Sequence, residues 1–314
     1  MIVQRSYQPP IRSLLYVPGN KLAWMLKAPQ YGSDALIFDL EDSVPVDQKV
    51  DSRRSVRSAI NELSNLGELG NLGRPRLFVR INAFATGMAE KDLEAVVAPG
   101  LFGIQAPKIE GPDSVRQLDA LLARFEAQAN LPVGQIFLMP LIESATGVRE
   151  AYDIAMAAAR VGYLHVGAGG AMGDMALSVG YREAAGQVTS YIFSKVIVDA
   201  RAAGITNPCT GLTAAPVHDL SAVRALAEQG RNFGYQGVNV IHPSHVPIAN
   251  EVFGPSPADI AYWTGLVAAV EEGERKGTSA VVYAGKMVDI AHLTFAREML
   301  KRAAEYAGSV APSL

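Results

Sequence analysis

Six apolar runs in this sequence end in side chains able to do acid–base or metal chemistry. The run 35–42 (ALIFDLED) closes on Asp39, Glu41 and Asp42, and 76–82 (RLFVRIN) carries Arg80 and Asn82. Lys108 lies near the end of the run 103–109 (GIQAPKI) with Glu110 directly after it, and Glu143 closes 135–143 (QIFLMPLIE). Asp174 follows 161–167 (VGYLHVG), and His242 lies at the end of 237–243 (GVNVIHP). A carboxylate directly behind an apolar run, as in LMPLIESATG, needs a partner, because an unpaired buried charge is expensive. Arg80 is flanked by apolar residues in FVRIN, so it either serves a substrate anion or pairs with Asp39 or Glu41. Carboxylates and water, without thiols or clustered imidazoles, suit a hard ion such as Mg²⁺, with Mn²⁺ as the alternative. The histidines, His165, His218, His242, His245 and His292, are scattered, and neither zinc-ligand spacings nor a G-x-S-x-G nucleophile motif occurs.

The elements that would position these groups follow from periodicity. Strand-like runs fall at 12–19, 35–42, 76–82, 103–109, 135–143, 161–167, weakly at 205–211, and at 237–243. Amphipathic stretches alternate with them at 20–31, 49–66, 89–98, 113–129, 148–159, 184–203, 220–230 and 259–276. Eight near-continuously apolar strands, each followed by a helix, predict an α/β fold, a (β/α)8 TIM barrel. An open doubly wound sheet is the runner-up, but its first turn should be glycine-rich, and YVPGN is not G-x-G-x-x-G. The barrel is expected over 1–276. A C-terminal extension over 277–314, a linker and then a helix over 287–307, would pack on the barrel or on a neighbouring subunit. In a barrel the active site lies at the C-terminal ends of the strands, where six of the eight runs place their polar residues.

Composition excludes several classes. With 314 residues, 49% hydrophobic and 19% charged, the chain can bury a sizeable core. A net charge of −3 gives no basic face for nucleic acid. The single cysteine, Cys209, forms no intrachain disulfide and fits a reducing cytosol. No signal-like leader and no run of about 18 apolar residues is present, so a cytoplasmic protein without membrane attachment is expected.

An ordered set of motifs carries a family resemblance: RSLLYVPGN (12–20), ALIFDLEDSV with Lys49 and Arg53 after it, FVRIN (78–82), APKIE (106–110), PLIESATGV (140–148), GDMALSVG (173–180), VIHPSHVPIAN (240–250) and GKMVD (285–289). Nearly end to end, the chain resembles the citrate lyase β-subunit group of the HpcH/HpaI aldolase family, which includes malyl-CoA and citramalyl-CoA lyases. The resemblance implies a trimeric or hexameric barrel that binds Mg²⁺ and an acyl-CoA thioester. It implies Glu143 and Asp174 as metal ligands and Arg80 as the grip on the substrate carboxylate. Asp39, Glu41 and Asp42 would form an acidic floor, with Asp39 counted as catalytic beside Arg80; Lys108 would lie beside the acyl site, and Glu143 and His242 are counted among the substrate-binding residues. Asp289 would come from a neighbouring subunit as the proton-handling group. The family's G-x-x-D spacing after strand six is altered in VGAGGAMGDMALSVG, where Asp174 fits only across an insertion of four residues. Glycines 167, 169, 170 and 173 tolerate positive φ and would let the chain return Asp174 to the mouth. ITNPCTG likewise replaces an acidic segment expected near strand seven.

The reaction expected is cleavage, or the reverse condensation, of a 3-hydroxyacyl-CoA such as malyl-, citramalyl- or citryl-CoA, giving an acyl-CoA and a keto acid. The alternatives are a pyruvate-type aldolase acting without CoA, a thioesterase or synthase, and an inactive binding homologue.

Overall fold

A computed structural model describes residues 4–65, 75–168, 170–183, 186–211 and 217–306. Eight parallel strands close a barrel in sequence order: β1 (Ser13–Pro18), β2 (Ala35–Asp39), β3 (Arg76–Arg80), β4 (Leu101–Ala106), β5 (Phe137–Ile142), β6 (His165–Val166), β7 (Cys209–Gly211) and β8 (Gly237–Val240). β8 returns to β1 with Ser13 opposite Val238. Between the strands run α1 (Leu22–Lys27), α2 (Lys49–Asn65), α3 (Ala89–Val96), α4 (Pro112–Gln128), α5 (Ala145–Arg149), α6 (Ala151–Met156), α7 (Asp174–Val179), α8 (Gln187–Ala202) and α9 (Leu220–Phe233), and α10 (Val246–Phe253) follows β8. This is the expected (β/α)8 architecture. Its central strands are buried throughout, as β2 and β5 show, because helices cover one face and the barrel interior fills the other.

Alternation along each strand sorts the interior into layers. One layer is apolar: Leu14, Ala35, Ile37, Phe78, Phe137, Met139, Tyr163 and Cys209 form a contiguous core. Phe78 and Phe137 each meet Tyr163 edge-on, at centroid distances of 5.7 and 5.6 Å. Two glycines make room for these rings. A Cβ on Gly103 would lie 2.4 Å from the Phe78 ring, and one on Gly162 would lie 2.4 Å from Phe137. Toward the C-terminal ends of the strands the interior turns polar, with Tyr16, Asp39, Arg80, Gln105, His165 and Asn239.

Three local readings change. The helix expected over 20–31 is six residues long and passes into a tight turn ended by Gly32 at φ 71°. The stretch 148–159 contributes to two short helices, the first capped by the Ser144 hydroxyl, which accepts from the Gly147 N–H. Only His165 and Val166 of 161–167 join the ladder, Val161 making an isolated bridge to Leu138.

The chain divides into two compact units, Met1–Asn250 and Glu251–Leu314, so the helix α11 (Pro257–Arg275) groups with the C-terminal segment. The polar linker expected over 277–286 is instead most of an antiparallel hairpin, β9 (Ala280–Tyr283) and β10 (Lys286–Asp289). Its turn residues Ala284 and Gly285 both have positive φ, 48° and 76°, the twist that a two-residue hairpin turn demands. The helix α12 (Ile290–Tyr306) follows. Leu266, Val270, Val288, Leu293 and Ala296 form this unit's own core.

Gly103→Ala and Gly162→Ala are each expected to cost about 1–3 kcal/mol, because the added methyl overpacks the aromatic layer. Urea denaturation measures this; unchanged midpoints would show that Phe78 and Phe137 can yield.

Candidate functional site

The polar residues at the strand ends converge as expected, and the register explains the first contact. Asp39 pairs with Arg80 across β2 and β3, which puts both side chains on the same face of adjacent strands. The guanidinium grips Asp39 with two parallel bonds, Nε to Oδ1 at 2.6 Å and Nη2 to Oδ2 at 2.7 Å. Its remaining edge, Nη1, faces Glu41 Oε2 at 3.1 Å and Asp42 Oδ2 at 3.6 Å. Tyr16 lies beneath it, the guanidinium carbon 4.9 Å from the ring centroid. Of the two roles open to Arg80, the pairing with Asp39 and Glu41 is the one this geometry displays. Burial alone would raise the Asp39 pKa. The Arg80 bonds, with the backbone N–H groups of Glu41 and Ser43, overcome it and hold the carboxyl below its usual range.

Lys108 is the second cation of the mouth. It adopts the left-handed conformation at φ 52°, which is uncommon for a residue with a Cβ and is tolerated where surroundings over-determine it. Its backbone N–H donates to Glu143 Oε1 at 2.8 Å. Its ammonium sits 2.8 Å from Glu41 Oε1, 3.5 Å from Asp174 Oδ2 and 3.9 Å from Asp42 Oδ1. One residue therefore touches four carboxylates that arrive from β2, β5 and the loop after β6. Burial opposes the charge on Lys108, but these anions outweigh it and push its pKa up. Glu41 is pushed up by burial despite its two cationic partners.

Asp174 does reach the mouth. It is the first residue of α7, with Gly173 in the capping position, so its carboxylate is not spent as the cap. The route differs from the one expected. Gly167, Gly170 and Gly173 do not have positive φ, while Gly169 lies outside the described residues. Gly167 instead packs beside Glu143, where a Cβ would meet the Glu143 side chain at ordinary contact distance.

Asp39, Asp42, Arg80, Glu143, His165 and Asp174 line a cavity of about 770 Å³ together with Tyr16 and residues 170–173. That volume suits a small-molecule ligand. A second hollow of about 620 Å³, lined by Asp42, Lys108, Asp174 and Leu177, continues past the rim. His242 is not among the residues that line either. Its Nδ1 bonds the Ser244 hydroxyl at 2.7 Å, and the ring sits beside those of His218 and His245. Asp289 belongs to the C-terminal unit, where its carboxylate pairs with His292 Nδ1 at 2.7 Å. Asn82 is structural: its backbone and side-chain N–H groups both donate to buried Asp92, which Arg53 also holds.

Five carboxylates, Asp39, Glu41, Asp42, Glu143 and Asp174, thus face two cations directly, with the buried Lys49 ammonium behind them on the carbonyls of Leu40 and Glu41. Glu143 records the excess. Burial first, and then Glu41 and Asp174, push its pKa up to about 7 against the pull of Lys108. Among the described residues no three carboxylates, imidazoles or thiols cluster closely enough to enclose a metal by themselves. Glu143 and Asp174, which both line the cavity, are the carboxylates present that could hold a hard divalent ion, one that takes one or two protein carboxylates and keeps several waters.

Four residues of the interior carry signals that strand-end reading misses: Tyr16, Gln105, His165 and Asn239. Each is a polar residue in the middle of an apolar strand (LLYVP, GIQAP, YLHVG, GVNVI). They bond one another across the barrel, and burial holds the His165 pKa down to about 3 and pushes that of Tyr16 up to about 12.

A family model described as HpcH/HpaI aldolase/citrate lyase matches residues 12–243. The chain is 34% identical over 295 residues to a (3S)-malyl-CoA thioesterase of Cereibacter sphaeroides, covering 94% of this chain and 95% of that one. It is 30% identical over 292 residues to citrate lyase subunit beta of Leuconostoc mesenteroides subsp. cremoris, covering 93% of each. Among solved structures it is similar to protein CitE from Mycobacterium tuberculosis in complex with magnesium, acetoacetate and coenzyme A. There the TM-score is 0.70 at 26% identity, over 95% of this chain and 98% of that one.

Glu143→Gln is expected to raise the melting temperature of the metal-free protein in a pH-dependent way. The native carboxyl keeps its proton to about 7, whereas in the unfolded chain it ionises near 4.5, so the wild type loses stability as pH rises between those values. Glutamine carries no such cost. The variant's advantage should be absent below about pH 4.5, grow up to about pH 7 and stay level above. Thermal melts after chelation measure it, and an advantage equal at all pH values would remove Glu143 ionisation as its cause.

Proposed function

The chain belongs to the HpcH/HpaI aldolase/citrate lyase family, and from that membership we propose that it is a divalent-metal-dependent carbon–carbon lyase. Its substrate is a 3-hydroxyacyl-CoA such as malyl-, citramalyl- or citryl-CoA, cleaved to an acyl-CoA and a keto acid or formed from them. The observation that carries the reading is the excess of carboxylate over cation at the barrel mouth, with Glu143 and Asp174 both lining the cavity. Those two residues would hold Mg²⁺, which supplies charge stabilisation to a substrate oxygen when bound. The relative complexed with magnesium, acetoacetate and coenzyme A supports a metal, a keto acid and CoA together.

The chain's own residues divide the remaining work. Arg80 gives the mouth its fixed positive charge, and Nη1, whose partners lie at 3.1 and 3.6 Å, is the edge a substrate carboxylate would engage. Asp39 is a poor proton acceptor, because four donors hold it ionised. We assign it to orienting Arg80. Lys108 lies where the acyl group would pass from the cavity to the outer hollow. Proton delivery to the thioester enolate needs a positioned acid. We assign proton handling at this step to Asp289, offered by a neighbouring subunit of a homo-oligomer, where it would have to exchange its His292 partner to carry the proton.

Thioester hydrolysis is the second reading, favoured by the similarity to a malyl-CoA thioesterase. Incubation with malyl-, citramalyl- and citryl-CoA and Mg²⁺ separates the two. Lyase action releases a keto acid and an acyl-CoA, whereas hydrolysis releases free CoA and a hydroxy acid. Neither product from any of the three would end both readings. Asp174→Asn should raise the Mg²⁺ concentration needed for half-maximal rate at least tenfold, since asparagine is a much weaker ligand for a hard ion. An unchanged metal requirement would remove Asp174 from the site.

Subunits carrying Asp289→Ala and subunits carrying Glu143→Gln are each expected to be inactive alone. Mixed under conditions of subunit exchange, they should recover part of the activity, because some sites then draw both intact residues. No recovery after demonstrated exchange would place the two residues in one subunit or take Asp289 out of the reaction.

A further inference from the structure

The polar floor below the carboxylates has no part in the steps above, yet its hydrogen bonds dictate a proton position. Tyr16 comes from β1, Gln105 from β4, His165 from β6 and Asn239 from β8, so they meet only inside the barrel. The Tyr16 hydroxyl donates to Gln105 Oε1 at 2.6 Å. With its carbonyl so engaged, Gln105 presents its amide nitrogen to His165 Nδ1 at 3.0 Å. The Asn239 amide nitrogen lies 3.2 Å from the Tyr16 oxygen and 3.1 Å from the same Nδ1. Nδ1 therefore receives two N–H donors and carries no proton itself. Burial, reinforced by the charge of Arg80, keeps the ring neutral. A neutral imidazole that accepts at Nδ1 must bear its proton on Nε2.

That Nε2–H is buried and has no hydrogen-bond partner among the described residues. The Thr210 backbone favours the ring's proton against the pull of burial. An unpaired buried donor is costly to keep, and here three side chains hold the ring in the tautomer that creates it. The ring also lines the cavity that holds Arg80, Glu143 and Asp174. Of the other cavity donors, the Tyr16 hydroxyl is taken by Gln105 and the guanidinium's Nε and Nη2 by Asp39, which leaves Nη1, the edge assigned above to the substrate carboxylate.

Resting on the lyase reading, we propose that His165 is a substrate-binding residue whose Nε2–H donates to an oxygen of the keto-acid half of the substrate, seating that half on the barrel floor. A neutral imidazole does this without adding a charge that would compete with the metal for the carboxylates. Tyr16, Gln105 and Asn239 are positioning residues that fix its tautomer.

The test uses the full chain with Mg²⁺ and pyruvate as the probe. His165→Phe fills the ring's space without a donor, and His165→Gln keeps an N–H. Calorimetry should find pyruvate bound roughly tenfold or more weakly by the Phe variant, the loss expected for one hydrogen bond to a charged partner, with partial recovery in the Gln variant. In wild-type protein labelled with ¹⁵N-histidine, the ring should show a protonated Nε2 whose resonance moves when pyruvate is added. Pyruvate bound within about twofold by a folded Phe variant overturns the proposal, and so does a proton found on Nδ1. If the Phe variant does not fold, the labelled wild type decides: an Nε2 resonance unmoved at saturating pyruvate overturns it. Wild-type protein that binds pyruvate while these readouts fail leaves the lyase reading standing. Wild-type protein that binds neither Mg²⁺ nor pyruvate sinks that reading and this inference with it.

Discussion

The two-pronged contact between Arg80 and Asp39 is the interaction around which the rest of the mouth is arranged. It is set by strand register, since the two residues are direct partners across β2 and β3. A carboxylate and a guanidinium this deep are tolerable only as a pair, because removing either would strand a buried charge. The pair also shapes its surroundings. It holds Asp39 ionised, offers its remaining edge to Glu41 and Asp42, and lays the guanidinium over Tyr16.

Around that pair the charges do not balance. Lys108 partly offsets the excess by reaching Glu41, Asp42 and Asp174 with its ammonium and Glu143 with its backbone N–H. Its left-handed backbone is the local cost of serving both β2 and β5 at once. What stays unbalanced appears at Glu143, whose carboxyl titrates near neutrality, poised for a cation stronger than a hydrogen-bonded amide. Under the proposed function, a hard divalent ion that keeps its own waters and is held by Glu143 and Asp174 would answer that requirement.

Beneath the charged ring lies a neutral one. Its four members come from four strands, and each satisfies a neighbour, so the interior passes from aromatic packing to hydrogen-bonded amides to paired charges along the barrel axis. Each layer tolerates the next because polarity rises stepwise toward the open end, where water and ligand can enter.

The barrel was legible in the chain itself. Eight apolar runs alternating with amphipathic ones leave few other ways to bury both faces of the strands, and Asp39, Glu41, Arg80, Lys108, Glu143 and Asp174 stand at the ends of those runs. The motifs also determined the family, because their order along the chain is more specific than any one of them. The expected linker was harder: the strand Ala280–Tyr283 within it depends on pairing with Lys286–Asp289 across the Ala284–Gly285 turn, which composition alone reads as linker. Tertiary structure alone decided what each site residue is joined to. Arg80 could have been free or paired, and only the register across β2 and β3 shows that Asp39 holds it. His165 looked like one of several scattered histidines, because nothing local says that Gln105, sixty positions before it, and Asn239, seventy-four after it, will meet its ring. Which side chains stand at strand ends is a matter of local pattern; which atoms they share depends on closing the barrel, and closure brings together residues that the chain keeps far apart.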